Sequence, residues 1–283
     1  MIRLPHWTAI CSLAFALLLA SCSGNGTAAD HAKDGGSAAA QAPIVAEEVT
    51  YEADSIAMQG FLAYRDDGKV KPGILVVHEW WGHNEHARNA ARKLADAGFV
   101  AMAVDMYGSG KNAAHPAEAA AFSGAVMSNM DGANERFSAA MAVLQQQEQV
   151  ASDEIGAIGY CFGGGVVLNM ARQGLPLDAV VSFHGSLGAA APADSGAVNG
   201  SLLVLNGADD PFVPQEAIDA FKAEMQAAGV TYTFVNMPGA VHAFTNPEAT
   251  ALGERFELPL AYNAVADSTS WAMALAFLHE QLP

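Results

Sequence analysis

Continuous apolar runs alternate with stretches of helical spacing along most of this chain. Such runs are typical of strands buried on both faces, because a strand with one exposed face alternates polar and apolar residues. Strands that alternate with helices favour a mainly parallel sheet with helices on both faces. The predicted fold class is therefore α/β. The buried strands are predicted at 73–79, 99–105, 154–160, 178–185, 201–207 and 230–236.

A hairpin and six helices complete the predicted architecture. IVAEEVTYEA and IAMQGFLAYR, residues 44–53 and 56–65, mix polar and apolar residues as expected of two paired strands. Asn84 is predicted to cap the first helix and Gly98 to end it, and Asp267 is predicted to cap the last helix. The helices are predicted at 84–97, 116–129, 131–149, 163–174, 214–228 and 267–282.

Residues 1–22 have the features of a secretory signal. Arg3 supplies a positive charge, and the apolar run 9–20 is shorter than the roughly 20 residues that a membrane-spanning helix needs. The run ends in LASC, which resembles a bacterial lipobox, where cleavage leaves a lipid-modified cysteine, here Cys22, at the new N-terminus. The alternative is an ordinary secretory signal with a chance cysteine.

The rest of the chain divides into a linker and a domain. Residues 23–43 are small, polar and low in complexity, which predicts a flexible tether. Residues 44–283 have the length of one globular domain. A lipid on Cys22 would hold this domain at the bacterial cell envelope, on a periplasmic or extracellular face. Ser23 stands where many lipoproteins retained at an inner membrane have aspartate, which favours an outer membrane.

The chain is strongly acidic, with a formal net charge of −17. This charge argues against a nucleic-acid partner and against electrostatic binding to anionic lipids, because both carry negative charge themselves. Attachment to a membrane would then depend on the lipid alone.

Cys161 is the single cysteine of the predicted domain, so an internal disulfide is impossible there. It lies in GYCFGG, at a predicted junction from strand to helix. G-x-C-x-G has the form of the nucleophile elbow of α/β-hydrolases, with Cys in place of Ser. Gly159 and Gly163 suit the tight turn, and a helix N-terminus favours the thiolate. The alternative is an inert cysteine in a glycine-rich turn.

Partners for such a nucleophile follow two later strands. GADDPFVP offers Asp209 and Asp210, and VHAF offers His242. The order nucleophile, acid, histidine is that of α/β-hydrolases. The carboxyl ends of parallel strands meet at one edge of a sheet, so these side chains are expected to lie close together.

Together these segments resemble the dienelactone hydrolase family. The matching segments are HEWWG, GFVAMAVDMYG, GYCFGGG, GADDPFVP and HAF, and YNAVADSTSW resembles the final helix of the family. The likeness covers about residues 45–282 and implies an α/β-hydrolase fold in a single domain. It also implies that Cys161 is the nucleophile, His242 the base, and Asp210 rather than Asp209 the acid.

The resemblance implies a role for the loop after the first buried strand. Glu79 would contact the resting thiol and help to form the thiolate when substrate binds. The amides of Trp80 and Phe162 would form the oxyanion hole. A metal site is not predicted, because a zinc-binding H-E-x-x-H helix needs histidines four apart, whereas His78 and His83 are five apart. No catalytic role is assigned to His78, His83, His86 or His184.

Three residues are candidates for the substrate pocket. Trp81, beside Trp80 at a strand end, is expected to wall an apolar pocket, although both could be core residues. Tyr107 and Asn246 are the other candidates. In family members that act on muconate-type lactones, an arginine four residues after the catalytic histidine holds the substrate carboxylate, and here that position is Asn246. The dienelactone substrate therefore does not follow from the resemblance.

The sequence predicts a hydrolase that cleaves small ester or lactone substrates through a Cys-His-Asp triad and a thioester intermediate. No metal or organic cofactor is expected. One alternative is a lipid-anchored binding protein that keeps the fold without catalysis. Another is hydrolysis of peptides or thioesters by the same triad.

Overall fold

A computed structural model describes residues 41–283 of the chain. The predicted signal 1–22, the lipidation site Cys22 and most of the predicted tether 23–43 lie outside the described residues. Within the described part, no helix combines the length and the apolar character that crossing a membrane requires.

One sheet of eight strands forms the centre of the structure. In chain order the strands are β1 (Ile44–Ala53), β2 (Ile56–Arg65), β3 (Lys71–Val77), β4 (Val100–Val104), β5 (Val150–Tyr160), β6 (Ala179–Phe183), β7 (Ser201–Gly207) and β8 (Tyr232–Met237). Across the sheet their order is β1-β2-β4-β3-β5-β6-β7-β8. The β1–β2 and β2–β4 pairs are antiparallel and the others are parallel, which confirms the predicted hairpin and the mainly parallel sheet.

Seven helices lie within the described residues, one more than predicted. They are α1 (Glu85–Asp96), α2 (Pro116–Met127), α3 (Met130–Gln145), α4 (Phe162–Arg172), α5 (Gln215–Ala228), α6 (Ala249–Phe256) and α7 (Ala264–Gln281). The unpredicted helix is α6, which has only eight residues.

The ends of α1 confirm the predicted caps, whereas the start of α7 does not. The side chain of Asn84 accepts a hydrogen bond from the amide of His86, and Gly98 has a left-handed φ of 101° just after the helix. The prediction that Asp267 caps α7 is wrong. The helix begins earlier, and the side chain of Asn263 caps it by accepting a hydrogen bond from the amide of Ala266.

Both faces of the sheet are covered by helices. Along β3, Ile74 and Val76 belong to a core shared with α1 and α7, while Leu75 and Val77 belong to a core shared with α3, α4 and α5. All four side chains are fully buried, and each contributes about 1.5–3 kcal/mol relative to an exposed position. The apolar run of β3 is continuous because neither face meets water.

The chain leaves four parallel strands at the same edge of the sheet. Glu79 follows β3, Cys161 follows β5, Asp210 follows β7 and His242 follows β8. The sheet thus brings together side chains that are far apart in sequence, as expected for the carboxyl ends of parallel strands.

Candidate active site

Cys161 occupies a sharp turn between β5 and α4. Its backbone has φ 53° and ψ −115°, a conformation that is strained for any residue with a side chain. A Cβ atom added at Gly163 would lie 2.6 Å from the carbonyl oxygen of His78, and one added at Gly159 would lie 2.7 Å from the amide nitrogen of Gly164. Only glycine fits at these two flanking positions, and the turn has the geometry of a nucleophile elbow. The thiol is free and partly exposed.

His184 ties this elbow to the loop after β8. The amide of Cys161 donates to the carbonyl of Phe183 and also to Nδ1 of His184, at 3.0 and 3.2 Å. Nε2 of His184 lies 2.8 Å from Oγ1 of Thr245. Burial, followed by the charges of His242 and His86, lowers the pKa of His184 well below its ordinary value. The ring is therefore neutral, with Nδ1 as acceptor and the proton on Nε2.

Asp210 is the aspartate that contacts His242. Its Oδ2 lies 2.8 Å from Nδ1 of His242, and its Oδ1 accepts a hydrogen bond from the amide of Phe212 at 2.9 Å. The Asp210 side chain is fully buried, whereas the neighbouring Asp209 is exposed. Because Nδ1 of His242 is engaged with the carboxylate, Nε2 is the nitrogen available for proton transfer.

The protonation of His242 depends on its neighbours. Burial by itself would lower its pKa, but negative charge on Cys161, followed by the hydrogen bond to Asp210, outweighs burial and raises the pKa to about 10. The imidazolium form is therefore favoured at neutral pH while Cys161 carries a negative charge.

Glu79 is buried at 1% exposure, and within the described residues its side chain is hydrogen-bonded to Asn246 and not to the thiol. Its Oε2 accepts a hydrogen bond of 2.5 Å from Nδ2 of Asn246 and lies 4.0 Å from Nδ1 of His86. Its Oε1 has no hydrogen-bond partner. The expected contact between Glu79 and Cys161 is therefore not present as a hydrogen bond, because the carboxyl group is turned towards the loop that carries Asn246.

Two amides beside Cys161 are free to bind a ligand. Within the described residues, neither the amide of Trp80 nor that of Phe162 donates a hydrogen bond. The loop of Trp80 is held by His78, whose Nδ1 lies 2.6 Å from the carbonyl oxygen of Glu79 and whose Nε2 accepts from the amide of Met106. Burial lowers the pKa of His78 to about 4, so it is a neutral structural residue.

Cys161 and His242 line one cleft of about 490 Å³. Its other lining residues are mainly apolar, and Ser123 and Ser186 add two hydroxyl groups. The full lining is Trp80, Ala120, Ser123, Gly124, Met127, Cys161, Phe162, Ser186, Phe212, Val213, His242, Leu258 and Leu260.

The three predicted pocket residues lie outside this lining. Trp81 is buried and stacks on Phe256, so it packs behind the loop. The hydroxyl of Tyr107 donates to the carbonyl oxygen of Trp80 at 2.9 Å, which makes it a support for that loop. Asn246 lines a separate cavity of about 550 Å³ beside α1. Of the adjacent tryptophans, Trp80 alone reaches the cleft, because consecutive residues point in different directions.

Sequence reasoning missed the wall that α2 contributes and the role of Asp105. The α2 residues have no motif, and only the fold brings them to Cys161. Asp105 is fully buried and accepts hydrogen bonds from four amides, which shape the loop after β4. A carboxylate directly after a buried strand was the available signal.

Among residues 41–283, no three His, Cys, Asp or Glu side chains cluster closely enough to hold a metal ion.

A mainly parallel sheet between two helical layers, with a nucleophile elbow and a buried Asp–His pair at the carboxyl ends of its strands, defines an α/β-hydrolase. The sequence profile of the dienelactone hydrolase family matches residues 58–282, and the chain belongs to this family. It is accordingly a carboxylic ester hydrolase of the dienelactone hydrolase type.

The chain is also similar to individual proteins. A solved dienelactone hydrolase-like promiscuous phosphotriesterase from metagenomic libraries is 32% identical, with a TM-score of 0.78 over 85% of this chain and 99% of that one. Protein usf of Aquifex pyrophilus is 26% identical over 239 residues, which are 83% of this chain and 98% of that protein. An uncharacterised protein of Caenorhabditis elegans is 33% identical over 150 residues, which are 51% of this chain and 91% of that protein.

Proposed function

We propose that this hydrolase cleaves small carboxylic esters or lactones through a thioester on Cys161, with His242 as acid and base and Asp210 as its orienting partner. The observation that carries the proposal is the buried hydrogen bond of 2.8 Å between Asp210 and His242, whose imidazole lines the same cleft as Cys161. The strained elbow supports it, because the turn presents the sulfur above the sheet.

Acylation begins from the thiolate and the imidazolium. The sulfur of Cys161 attacks the carbonyl carbon, and the carbonyl oxygen takes the negative charge. The amides of Trp80 and Phe162, which donate no hydrogen bond within the described residues, are the donors proposed to stabilise this charge. The bond to the alcohol oxygen then breaks, the oxygen takes the proton from Nε2 of His242, and a thioester remains.

In deacylation His242 accepts a proton, whereas in acylation it donates one. Negative charge on Cys161 is the largest influence that raises the pKa of His242, and the thioester sulfur carries none. The pKa of His242 therefore falls when the thioester forms, so the neutral imidazole can take a proton from water. The resulting hydroxide attacks the thioester, the acid product leaves, and the thiolate–imidazolium pair is restored.

The test measures hydrolysis of p-nitrophenyl acetate and of a small lactone by the full chain and by Cys161→Ala and His242→Ala. Turnover that disappears in both variants would support the proposal. Ser186→Ala is the matched control, because it removes a hydroxyl from the same cleft without touching the proposed triad. A folded wild-type protein without turnover, and with Cys161 inert to iodoacetamide, would instead favour a binding protein on this fold.

We also propose that Cys22 carries a lipid that holds the enzyme at the bacterial cell envelope. The support is the LASC sequence after an apolar run. The full chain expressed in a bacterial host should incorporate labelled palmitate and sediment with membranes. Cys22→Ala should abolish the labelling, while Cys11→Ala, a change inside the same signal, should preserve it. Labelling that survives Cys22→Ala would contradict the proposal.

A further inference from the structure

Apart from His242, whose positive charge is paired with Asp210 and the Cys161 thiolate, the cleft around Cys161 offers no positive charge to a substrate. None of its lining residues is Lys or Arg, and none is Asp or Glu. An anionic group bound there would lose hydration without gaining an unpaired cation, which is unfavourable. The net charge of −17 adds long-range repulsion of anions. An apolar group, in contrast, gains from burial against these side chains.

The cleft has two walls, and the position of His242 distinguishes them. On one side the ring of Phe212 packs edge-on against His242 at 5.1 Å, and the backbone of Leu260 pairs with His242. On the other side α2 packs near Phe162 through Tyr107, whose ring lies 5.4 Å from that of Phe162 and 5.5 Å from that of Phe122.

The chemistry assigns one part of the ester to each wall. His242 gives its proton to the departing alcohol, so the alcohol lies on the side of Phe212 and Leu260. The acyl group is bonded to Cys161 and extends the other way, past Phe162. It therefore meets the α2 wall, which consists of Ala120, Ser123, Gly124 and Met127.

Gly124 is the one position in this wall with no side chain. A Cβ atom added there would meet no atom within 4 Å beyond its chain neighbours and the backbone of its own helix, and the position has ordinary helical backbone. The helix does not need glycine at this point, since no turn or close approach occurs there. Gly124 is exposed where it lines the cleft, so the missing side chain leaves open space at that point of the wall.

We propose that the enzyme selects esters with an uncharged, apolar acyl group, and that Gly124 sets the length of acyl chain that the cleft accepts. This inference rests on the proposed ester hydrolysis at Cys161. It differs from that proposal in assigning the acyl group to α2 and in naming the residue that limits its size.

The experiment compares p-nitrophenyl acetate, butanoate and octanoate on the full-length wild type and on Gly124→Ala and Gly124→Leu. We expect Gly124→Leu to lower kcat/KM for the octanoate about tenfold or more and to leave the acetate within about twofold, with Gly124→Ala in between. Ala125→Leu is the matched control. It adds the same side chain to the next exposed position of α2, outside the cleft, and should leave the chain-length profile unchanged.

Two further comparisons test which wall the acyl group contacts and whether the acyl group must be uncharged. Among acetate esters with short and long alkyl alcohols, Gly124→Leu should not change the preference, and a loss for long alcohols would overturn the assignment of the acyl group to α2. A p-nitrophenyl ester with a terminal carboxylate on its acyl chain should react at least about tenfold more slowly than the neutral ester of equal length. Equal rates would overturn the selection for uncharged groups.

The remaining outcomes separate this inference from the proposed function. Turnover that depends on Cys161 but shows the same chain-length profile in Gly124→Leu would overturn the inference alone. Absence of turnover on every ester would overturn both. The graded Gly124→Ala variant keeps the test valid if the leucine variant does not fold, because alanine suits a helix interior better than glycine.

Discussion

The side-chain amide of Asn246 donates a hydrogen bond of 2.5 Å to Oε2 of Glu79, although 167 residues separate the two in sequence. This contact joins the loop after β3 to the loop that carries His242. The resemblance implies that family members acting on muconate-type lactones have a substrate-binding arginine at the position of Asn246. In this chain the position is Asn246, a neutral amide whose hydrogen bond goes to Glu79 of the protein itself. Asn246 therefore holds the Glu79 carboxyl group in place.

Removing this contact should impair both stability and turnover. In Asn246→Ala the buried Glu79 carboxyl loses its one hydrogen bond, which should cost about 1–3 kcal/mol in the free energy of unfolding. Urea denaturation and kcat/KM for p-nitrophenyl acetate measure the two effects. Asn246→Gln, which keeps an amide, should recover part of the activity. Full activity and stability in Asn246→Ala would contradict the role assigned to this contact.

Asp209 and Asp210 are adjacent, and Asp210 is the one that contacts His242, so the same substitution at each position tests the Asp–His interaction. Asp210→Asn removes the charge that orients His242 and should lower kcat by about a thousandfold or more. Asp209→Asn makes the same chemical change at the exposed neighbour and should leave kcat nearly unchanged. Steady-state kinetics on one ester suffice for the comparison. Similar effects of the two changes would disprove the specific role of Asp210.

The pH dependence should report the raised pKa of His242. The pKa in the folded protein, about 10, lies above the usual value of 6.5. The imidazolium therefore contributes stability fully below about pH 6.5, and this contribution is lost as the pH rises through about 10. The acylation rate should fall over the same upper range, because the proton donor is lost. Stopped-flow measurement of acylation between pH 7 and about 10.5 tests this.

A second measurement isolates the cause of that shift. Cys161→Ala removes the negative charge that raises the pKa of His242 most, so the imidazole should titrate at a lower pH in this variant. NMR titration of the His242 ring in the wild type and the variant provides the comparison. An unchanged pKa would show that Asp210 alone holds the proton.

Replacing a glycine of the elbow by alanine should be far more damaging to stability and activity than replacing a glycine in open space. In Gly163→Ala the new Cβ would lie 2.6 Å from the carbonyl oxygen of His78, and the resulting displacement should cost about 1–3 kcal/mol of folding free energy. It should also shift Cys161 and lower kcat. Gly124→Ala, whose Cβ meets nothing, is the control and should be neutral or stabilising. Thermal unfolding and acetate hydrolysis measure both.

The sequence predicted the fold well because each parallel strand is buried on both faces and so forms a continuous apolar run. It also predicted which residues follow the strands, and the structure brings Cys161, Asp210 and His242 to one edge. Three features had no local signal. Helix α6 is short, the wall formed by α2 depends on how that helix packs, and the bond between Asn246 and Glu79 joins distant loops. The predicted cap of α7 was wrong because Asn263 and Asp267 both suit the start of a helix, and the position of the first turn depends on how the helix packs.

The place of β8 in the sheet has a consequence for how the enzyme fails on heating. β8 is the last strand in the sheet order and pairs on one side only, with β7, yet the loop that follows it carries His242. Edge strands open at a lower free energy than the centre of a sheet. Reversible inactivation should therefore begin below the temperature at which the sheet melts, and stabilising this strand alone should extend the working range of the enzyme.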